Sequence, residues 1–98
     1  MKIINLAVEA SEFCVRRTDA SLPKIKDLVL EALNTNTELE INWINVKVLT
    51  PSYIDELIPG FILKFGEEKV NKLIKFNPLL TGFLAEQVIR GVKNRISV

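Results

Sequence analysis

The chain has 98 residues, 48% of them hydrophobic and 26% charged, a composition typical of a folded domain with one hydrophobic core. Thirteen lysines and arginines nearly balance twelve acidic residues, and the net charge of +1 excludes a whole-chain attraction to nucleic acid or acidic membranes. Histidine is absent and cysteine occurs once, which excludes histidine-based catalysis, histidine metal ligands and an internal disulfide. We expect one domain spanning residues 1–98.

The N-terminal segment predicts neither export nor membrane insertion. Lys2 and Glu9 interrupt the first apolar run before it reaches the length of a signal peptide. The apolar runs elsewhere fall far short of the roughly 20 residues that cross a bilayer. The lone Cys14 fits a reducing compartment, so we expect a cytoplasmic protein that makes no membrane contact.

The first third of the chain predicts two short strands and a helix. The apolar, β-branched run 2–9 is typical of a strand, and 13–15 predicts a second one. Across 22–33, apolar residues recur at spacings of three and four, which predicts an amphipathic helix. Its candidate N-caps are Thr18, Asp19 and Ser21.

The remaining strands and the last helix follow from similar patterns. Apolar and polar residues alternate over 39–43, which predicts a strand, and the apolar character continues over 46–49. A third longer strand is expected over 70–76. Thr81 is expected to cap a final helix with an apolar face over 84–92.

A helix start and a helix interruption are predicted in the centre of the chain. Thr50 followed by Pro51 indicates an N-cap and a first helical residue, and Ser52 offers a cap two positions later. Pro59 lies inside the helical pattern of 54–65. Because an interior proline lacks the N–H that a helix needs, we expect a kink or two separate helices there.

Together these elements predict an α/β domain in the order β(β)αβαβα. Strands that alternate with helices need crossover connections, which indicates a mostly parallel central sheet with helices packed on it.

No catalytic or cofactor-binding pattern is present. The four glycines are scattered, so none forms a phosphate-binding loop, and no nucleophile has a neighbouring base. Asp55 and Glu56 are adjacent carboxylates, but neighbours on a helix point about 100° apart and do not form a dyad. Two carboxylates are also too few for a hard metal ion. We expect no enzyme activity, no cofactor and no metal.

One segment carries a family resemblance. Ile41-Asn42-Trp43 is followed by Thr50-Pro51-Ser52-Tyr53 and then by Asp55-Glu56-Leu57. Arg17 and Ala20 precede the first long helix, and an Ile-Lys-Phe-Asn run occupies the last strand. In these features the chain resembles the bacterial STAS-like family of unknown function, over nearly its whole length.

The resemblance implies a fold and a mode of action. STAS domains occur in anti-sigma factor antagonists and sulfate transporter tails, and they work by binding partners. In the antagonists, phosphorylation of a serine or threonine at the start of the second helix often switches binding. The implied partner is a histidine-kinase-like ATPase that acts as an anti-sigma factor or serine kinase. The implied function is signalling or transcription regulation by protein binding.

Transferred to this sequence, the resemblance places the binding surface around the start of the second helix. Ser52 lies where the phospho-acceptor would be, although the antagonists carry Asp–Ser–Ser/Thr–Gly at this turn. Ser52 is therefore either a helix cap or a phospho-acceptor. The surface residues expected beside it are Thr50, Tyr53, Asp55 and Glu56. Arg16 and Arg17 are expected to be solvated, or to pair with an acidic partner or with the carboxylates of this helix.

Two other functions remain open from the sequence. An exposed edge strand near the N-terminus would allow a homodimer to form. A basic patch could bind nucleic acid, but it lacks an aromatic stacking platform, which disfavours that function. The patch would consist of Lys69, Lys72, Lys75, Arg90, Lys93 and Arg95.

Overall fold

The computed structural model describes residues 1–96, which form five strands and six helices. In chain order the elements are β1 (Lys2–Asn5), α1 (Leu6–Glu9), β2 (Phe13–Cys14), α2 (Leu22–Asn34), β3 (Leu39–Asn42), β4 (Val48–Leu49), α3 (Pro51–Leu57), α4 (Pro59–Phe65), α5 (Glu67–Leu73), β5 (Ile74–Asn77) and α6 (Phe83–Ile96). Within residues 1–96, no helix is long and apolar enough to cross a membrane.

The central sheet is parallel and has the order β1-β3-β5. Ile41 of β3 lies between Ile4 of β1 and Phe76 of β5. Parallel neighbours cannot be joined by a hairpin, so α2 carries the chain from β1 to β3, and α3 to α5 carry it from β3 to β5. The predicted α/β class, with a mostly parallel sheet and helices packed on it, is confirmed.

A second, two-stranded sheet holds the start of α3. Its strands β2 and β4 are parallel, with Phe13 opposite Val48 and Cys14 opposite Leu49. The backbone N–H of Thr50 donates to the Cys14 carbonyl at 3.0 Å, which extends this pairing to the residue that precedes α3.

The core lies where α2 and α3 meet the central sheet. Its side chains are apolar and fully buried because the spacing of the predicted helix and strand patterns places them on one side of each element. The largest include Leu6, Ile25, Leu33, Leu39, Ile41, Tyr53, Ile54 and Leu57.

Two predicted strands are shorter than expected because helices replace part of them. Residues 6–9 form α1, in which the N–H of Ala10 bonds to the Leu6 carbonyl, and residues 70–73 belong to α5. The strand predictions were wrong at these residues. β1 and β5 both pair with β3, which has four residues, so each pairs over four residues. At Gly66 a φ of 92° separates α4 from α5, and glycine adopts this angle without a steric penalty.

The predicted interruption at Pro59 is confirmed. α3 ends at Leu57 and α4 begins at Pro59, so the chain forms two helices instead of one. The predicted cap at Thr81 is wrong. α6 begins at Phe83, and the N–H of Glu86 bonds to the Gly82 carbonyl, which leaves Thr81 outside the helix.

Candidate functional site

Thr50 caps the start of α3, which confirms one of the two predicted N-caps. Thr50 Oγ1 accepts a hydrogen bond from the Tyr53 N–H at 3.3 Å and donates one to the Val15 carbonyl at 2.5 Å. Ser52 is the second residue of the helix, so the prediction that Ser52 is the N-cap is wrong. Ser52 is half-buried, and within residues 1–96 its hydroxyl has no hydrogen-bond partner.

An apolar surface adjoins this helix start. Phe13 and Val48 lie side by side on β2 and β4, and Val15 follows two residues after Phe13 on the same face. Phe13 is 54% exposed, and Val48 and Val15 are each 40% exposed. Cys14, which alternates with them, is buried on the opposite face. We call Phe13, Val15 and Val48 the small-sheet face.

Tyr53 lies beneath this surface instead of on it. Its side chain is fully buried, which corrects its expected place among the surface residues. The Ser21 hydroxyl donates to Asp19 Oδ1 at 2.6 Å and lies 3.1 Å from the Tyr53 hydroxyl. Because the Asp19 carboxylate only accepts, the Tyr53 hydroxyl donates to Ser21. Burial raises the pKa of Tyr53, so this hydroxyl keeps its proton.

Asp55 is the only buried charged residue among residues 1–96, and arginines from two other parts of the chain bind it. Arg17 Nη1 donates to Oδ2 at 2.9 Å, and Arg95 Nη1 donates to Oδ1 at 3.1 Å. Arg95 Nη2 also donates to the Asp55 main-chain carbonyl at 2.9 Å, and Gln87 Nε2 lies 3.4 Å from Oδ1. Asp55 therefore ties the segment before α2 and the helix α6 to α3, and the expected surface role of its side chain is corrected.

The arginines determine the protonation state of this carboxylate. Burial by itself would raise the pKa of Asp55, because it disfavours the charged form. The hydrogen bonds from Arg95 and Arg17, the charge of Arg95 and the Gln87 contact outweigh burial and hold the pKa of Asp55 below its usual value. Asp55 is therefore ionised near neutral pH and is unsuited to act as a general acid there.

Close packing brings α6 to Asp55. Gly91 of α6 is buried, and a Cβ at this position would overlap Asp55 Oδ1 and Pro59 Cγ. The Gly91 carbonyl also accepts a hydrogen bond from Arg95 Nη1 at 3.0 Å, which orients the guanidinium toward Asp55. Glycine at 91 is therefore a packing requirement of the contact between α3 and α6.

Glu56 faces a different direction from Asp55, as the helix geometry predicts. It accepts a hydrogen bond from Lys26 Nζ of α2 at 2.7 Å, and both side chains are about one-third exposed. Arg17 contacts Asp55, so the predicted pairing with a carboxylate of α3 is observed. Within residues 1–96, no three histidine, cysteine, aspartate or glutamate side chains lie close enough together to hold a metal ion.

Sequence reasoning missed the partners of Asp55 on α6. Arg95 and Arg90 were expected in a basic C-terminal patch, but Arg95 turns toward Asp55 and Arg90 lies 3.6 Å from Glu86. Arg95 and Arg90 are therefore paired with carboxylates of this chain. A glycine and an arginine four residues apart on a helix gave no signal by themselves, because their roles depend on which helix packs against them.

Comparison with known proteins agrees with the signature around α3. A family model described as a STAS-like domain of unknown function matches residues 23–79, more than half of the chain. The matched segment contains Ser52, Asp55 and Glu56, whereas Arg17 and Arg95 lie outside it. No curated protein and no solved structure matches the chain. The chain therefore belongs to the family of STAS-like domains of unknown function.

Proposed function

We propose that this domain is a non-catalytic regulatory module that binds a protein partner through the small-sheet face and the start of α3. The observation that carries the proposal is the exposed apolar face of β2 and β4, which adjoins the start of α3 at Thr50. Exposed apolar side chains that form one contiguous surface commonly mark protein-binding sites. A two-stranded sheet with one apolar face exposed gains stability when a partner covers that face.

The charges around this surface suit a partner with acidic groups. Arg17 keeps about half of its side chain exposed while it binds Asp55, and the neighbouring Arg16 is exposed as well. An arginine at the edge of an apolar patch supplies directional hydrogen bonds to carboxylates. The partner we propose is a histidine-kinase-like ATPase that acts as an anti-sigma factor or serine kinase, by analogy with anti-sigma factor antagonists.

The side chains at this site support binding over catalysis. The lone Cys14 is buried, and burial raises the pKa of its thiol, which disfavours the nucleophilic thiolate. Asp55 is held by two arginines, and Glu56 by Lys26. These carboxylates are committed to contacts within the chain.

We further propose that phosphorylation of Ser52 regulates binding. The Ser52 hydroxyl is not used to cap α3, because Thr50 serves that purpose. Asp55 follows Ser52 by three residues, a spacing that makes two side chains neighbours on a helix. A phosphate on Ser52 would therefore lie near Arg17 and compete with Asp55 for it. It would also add roughly two negative charges beside the small-sheet face, which weakens binding of an acidic partner.

The decisive experiment is calorimetric titration of the domain against each purified histidine-kinase-like ATPase encoded in the same genome. We expect one ATPase to bind, and Phe13→Ser and Val48→Ser to weaken its affinity about tenfold or more each. Leu63→Ser is the matched control, since Leu63 is 44% exposed on α4, away from the small sheet. Failure of every such ATPase to bind, or equal weakening by the control, contradicts the proposal.

Phosphorylation is tested separately by mass spectrometry. After incubation with the bound ATPase and ATP, the wild-type chain should gain the mass of one phosphate and Ser52→Ala should gain none. Ser52→Glu should weaken binding, whereas Ser52→Ala should leave it unchanged. A phosphate found on another residue, or none at all, refutes the switch and leaves the binding surface to be judged by the titrations.

A further inference from the structure

A second apolar surface lies beside β5, where the central sheet ends. A groove of about 390 Å³ runs between β5, α5 and α6. A second cavity of about 330 Å³ continues it along α6, since the two share wall residues. The groove is lined mainly by apolar side chains, among them Ile62, Ile74, Phe76, Leu80, Val88 and Ile89.

Large apolar side chains on the groove and at the start of α6 are exposed to solvent. Leu79, Phe83 and Ile89 are 74%, 78% and 58% exposed. Leu79 and Ile89 also line the groove, and Phe83 precedes by two residues Ala85, which lines it as well. Side chains of this size expose on the order of 100 Å² each at these fractions, which water solvates poorly.

The backbone beside the groove is also open to pairing. β5 is an outer strand of the sheet, and among residues 1–96 it pairs with β3 alone. An edge strand presents unpaired N–H and C=O groups to which another strand can bond. Ile74, Lys75 and Phe76 of β5 line the groove, so the open edge and the apolar surface adjoin each other.

We propose that the chain forms a twofold-symmetric homodimer through this surface, with Leu79 and Phe83 of each copy inserted into the groove of the other. Leu79 projects from the wall of the groove and Phe83 follows it at the start of α6, so projection and groove adjoin on one molecule, which is the arrangement that a twofold axis makes self-complementary. The two β5 strands run antiparallel across the axis and join the two sheets into one.

The charges on the surface favour a second copy over a strongly charged partner. Glu67 lines the groove together with Lys75, and Lys93 lines its continuation. The walls therefore carry charges of both signs, which suits a second copy of the same surface better than a partner of one strong charge. The net charge of +1 adds little repulsion between copies.

The exposed side chains supply part of the area that a dimer needs. The three projecting side chains supply on the order of 300 Å² per copy, and the groove walls and the β5 edge add to it. A stable interface buries roughly 800 Å² per partner, with hydrophobic residues at its centre. The proposed dimer uses none of the residues of the small-sheet face, so it is compatible with the proposed partner binding.

The test is sedimentation velocity of the full chain over a wide concentration range. We expect the wild type to sediment as two chains, and Phe83→Glu and Leu79→Glu each to raise the dimer dissociation constant at least about thirtyfold. Both positions are largely exposed, so circular dichroism should show an unchanged fold. Ile3→Glu is the matched control, because Ile3 is 59% exposed on β1, the other edge of the sheet.

The Ile3→Glu control also distinguishes association through β1 from association through β5. A wild type that stays monomeric at the highest concentration overturns the proposal. A dimer that survives both Phe83→Glu and Leu79→Glu overturns it as well. If Ile3→Glu dissociates the dimer instead, association occurs through β1. If the wild type is monomeric and the Phe83→Glu variant loses affinity for the partner ATPase, the groove binds that partner and the homodimer is refuted.

Discussion

The Asp55 cluster makes a quantitative prediction about stability. Asp55 is 10% exposed at its side chain, whereas Arg95 is 31% and Arg17 is 53% exposed. A hydrogen bond between charged groups contributes about 1.5–3 kcal/mol when buried, but a surface ion pair contributes only about 0–1 kcal/mol. The bonds from Arg95 should therefore dominate, and those from Arg17 should be weakened by solvent.

These magnitudes give an order among three variants. Asp55→Asn removes the charge at nearly constant volume and should lower the free energy of unfolding by about 2 kcal/mol. Arg95→Ala should cost about 1–2 kcal/mol, because it also loses the bond to the Asp55 main-chain carbonyl. Arg17→Ala should cost less than about 1 kcal/mol.

Urea unfolding followed by tryptophan fluorescence measures these differences. The only tryptophan, Trp43, packs against the core and donates from Nε1 to the Pro78 carbonyl, so its emission should report global unfolding. A loss of 2 kcal/mol shifts the urea midpoint by about 1–2 M in a domain of this size. Glu56→Gln is the control, and it removes only a surface pair with Lys26.

An Asp55→Asn midpoint equal to that of the wild type would refute the role of the buried carboxylate. A larger loss in Arg17→Ala than in Arg95→Ala would refute the argument from exposure. A change in the slope of the transition would show that the unfolded or folded ensemble had changed, and the midpoints alone would then not measure stability.

Three further predictions concern pH, packing and capping. The lowered pKa of Asp55 means that the unfolded chain takes up its proton first, so stability should fall as pH drops below about 4; thermal melts of Asp55→Asn should show a shallower acid loss. Gly91→Ala should lower the melting temperature through overpacking worth about 1–3 kcal/mol, whereas Gly60→Ala, which meets no atom within 4 Å, should not. Thr50→Ala should cost about 1 kcal/mol in urea unfolding, and Ser52→Ala should stay within about 0.5 kcal/mol of the wild type.

The features that the sequence predicted well are those decided within a few residues. The cap at Thr50 with Pro51 behind it depends only on the first turn of α3. The separation of α3 from α4 follows from the missing N–H of Pro59, which is a local property of the chain. The parallel sheet followed from the alternation of strands and helices, because few topologies can connect such elements.

The features that the sequence failed to predict depend on contacts between distant segments. Residues 6–9 form a mainly apolar run and residues 70–73 a mixed one, and periodicity alone does not distinguish a strand from a helix in runs this short. Because β3 has four residues, β1 and β5 each pair with it over only four residues, and the rest of each predicted strand is helical. Likewise, Asp55 and Arg95 are 40 residues apart, so their contact depends on how α6 packs on α3.

The family signature in α3 divides into an interior half and a surface half. Tyr53 and Asp55 are buried and bind Ser21, Arg17 and Arg95 within the chain.

Ser52 and Glu56 remain half-exposed on the same helix, four residues apart and therefore neighbours. A partner that approaches the exposed side of α3 meets Ser52 or Glu56 and does not meet the buried side chains of Tyr53 and Asp55. Substitutions in the buried half should change stability and reach binding only through it. Substitutions in the exposed half that add charge, such as Ser52→Glu, should change binding at constant stability, and this separation distinguishes a recognition surface from a structural scaffold in the same motif.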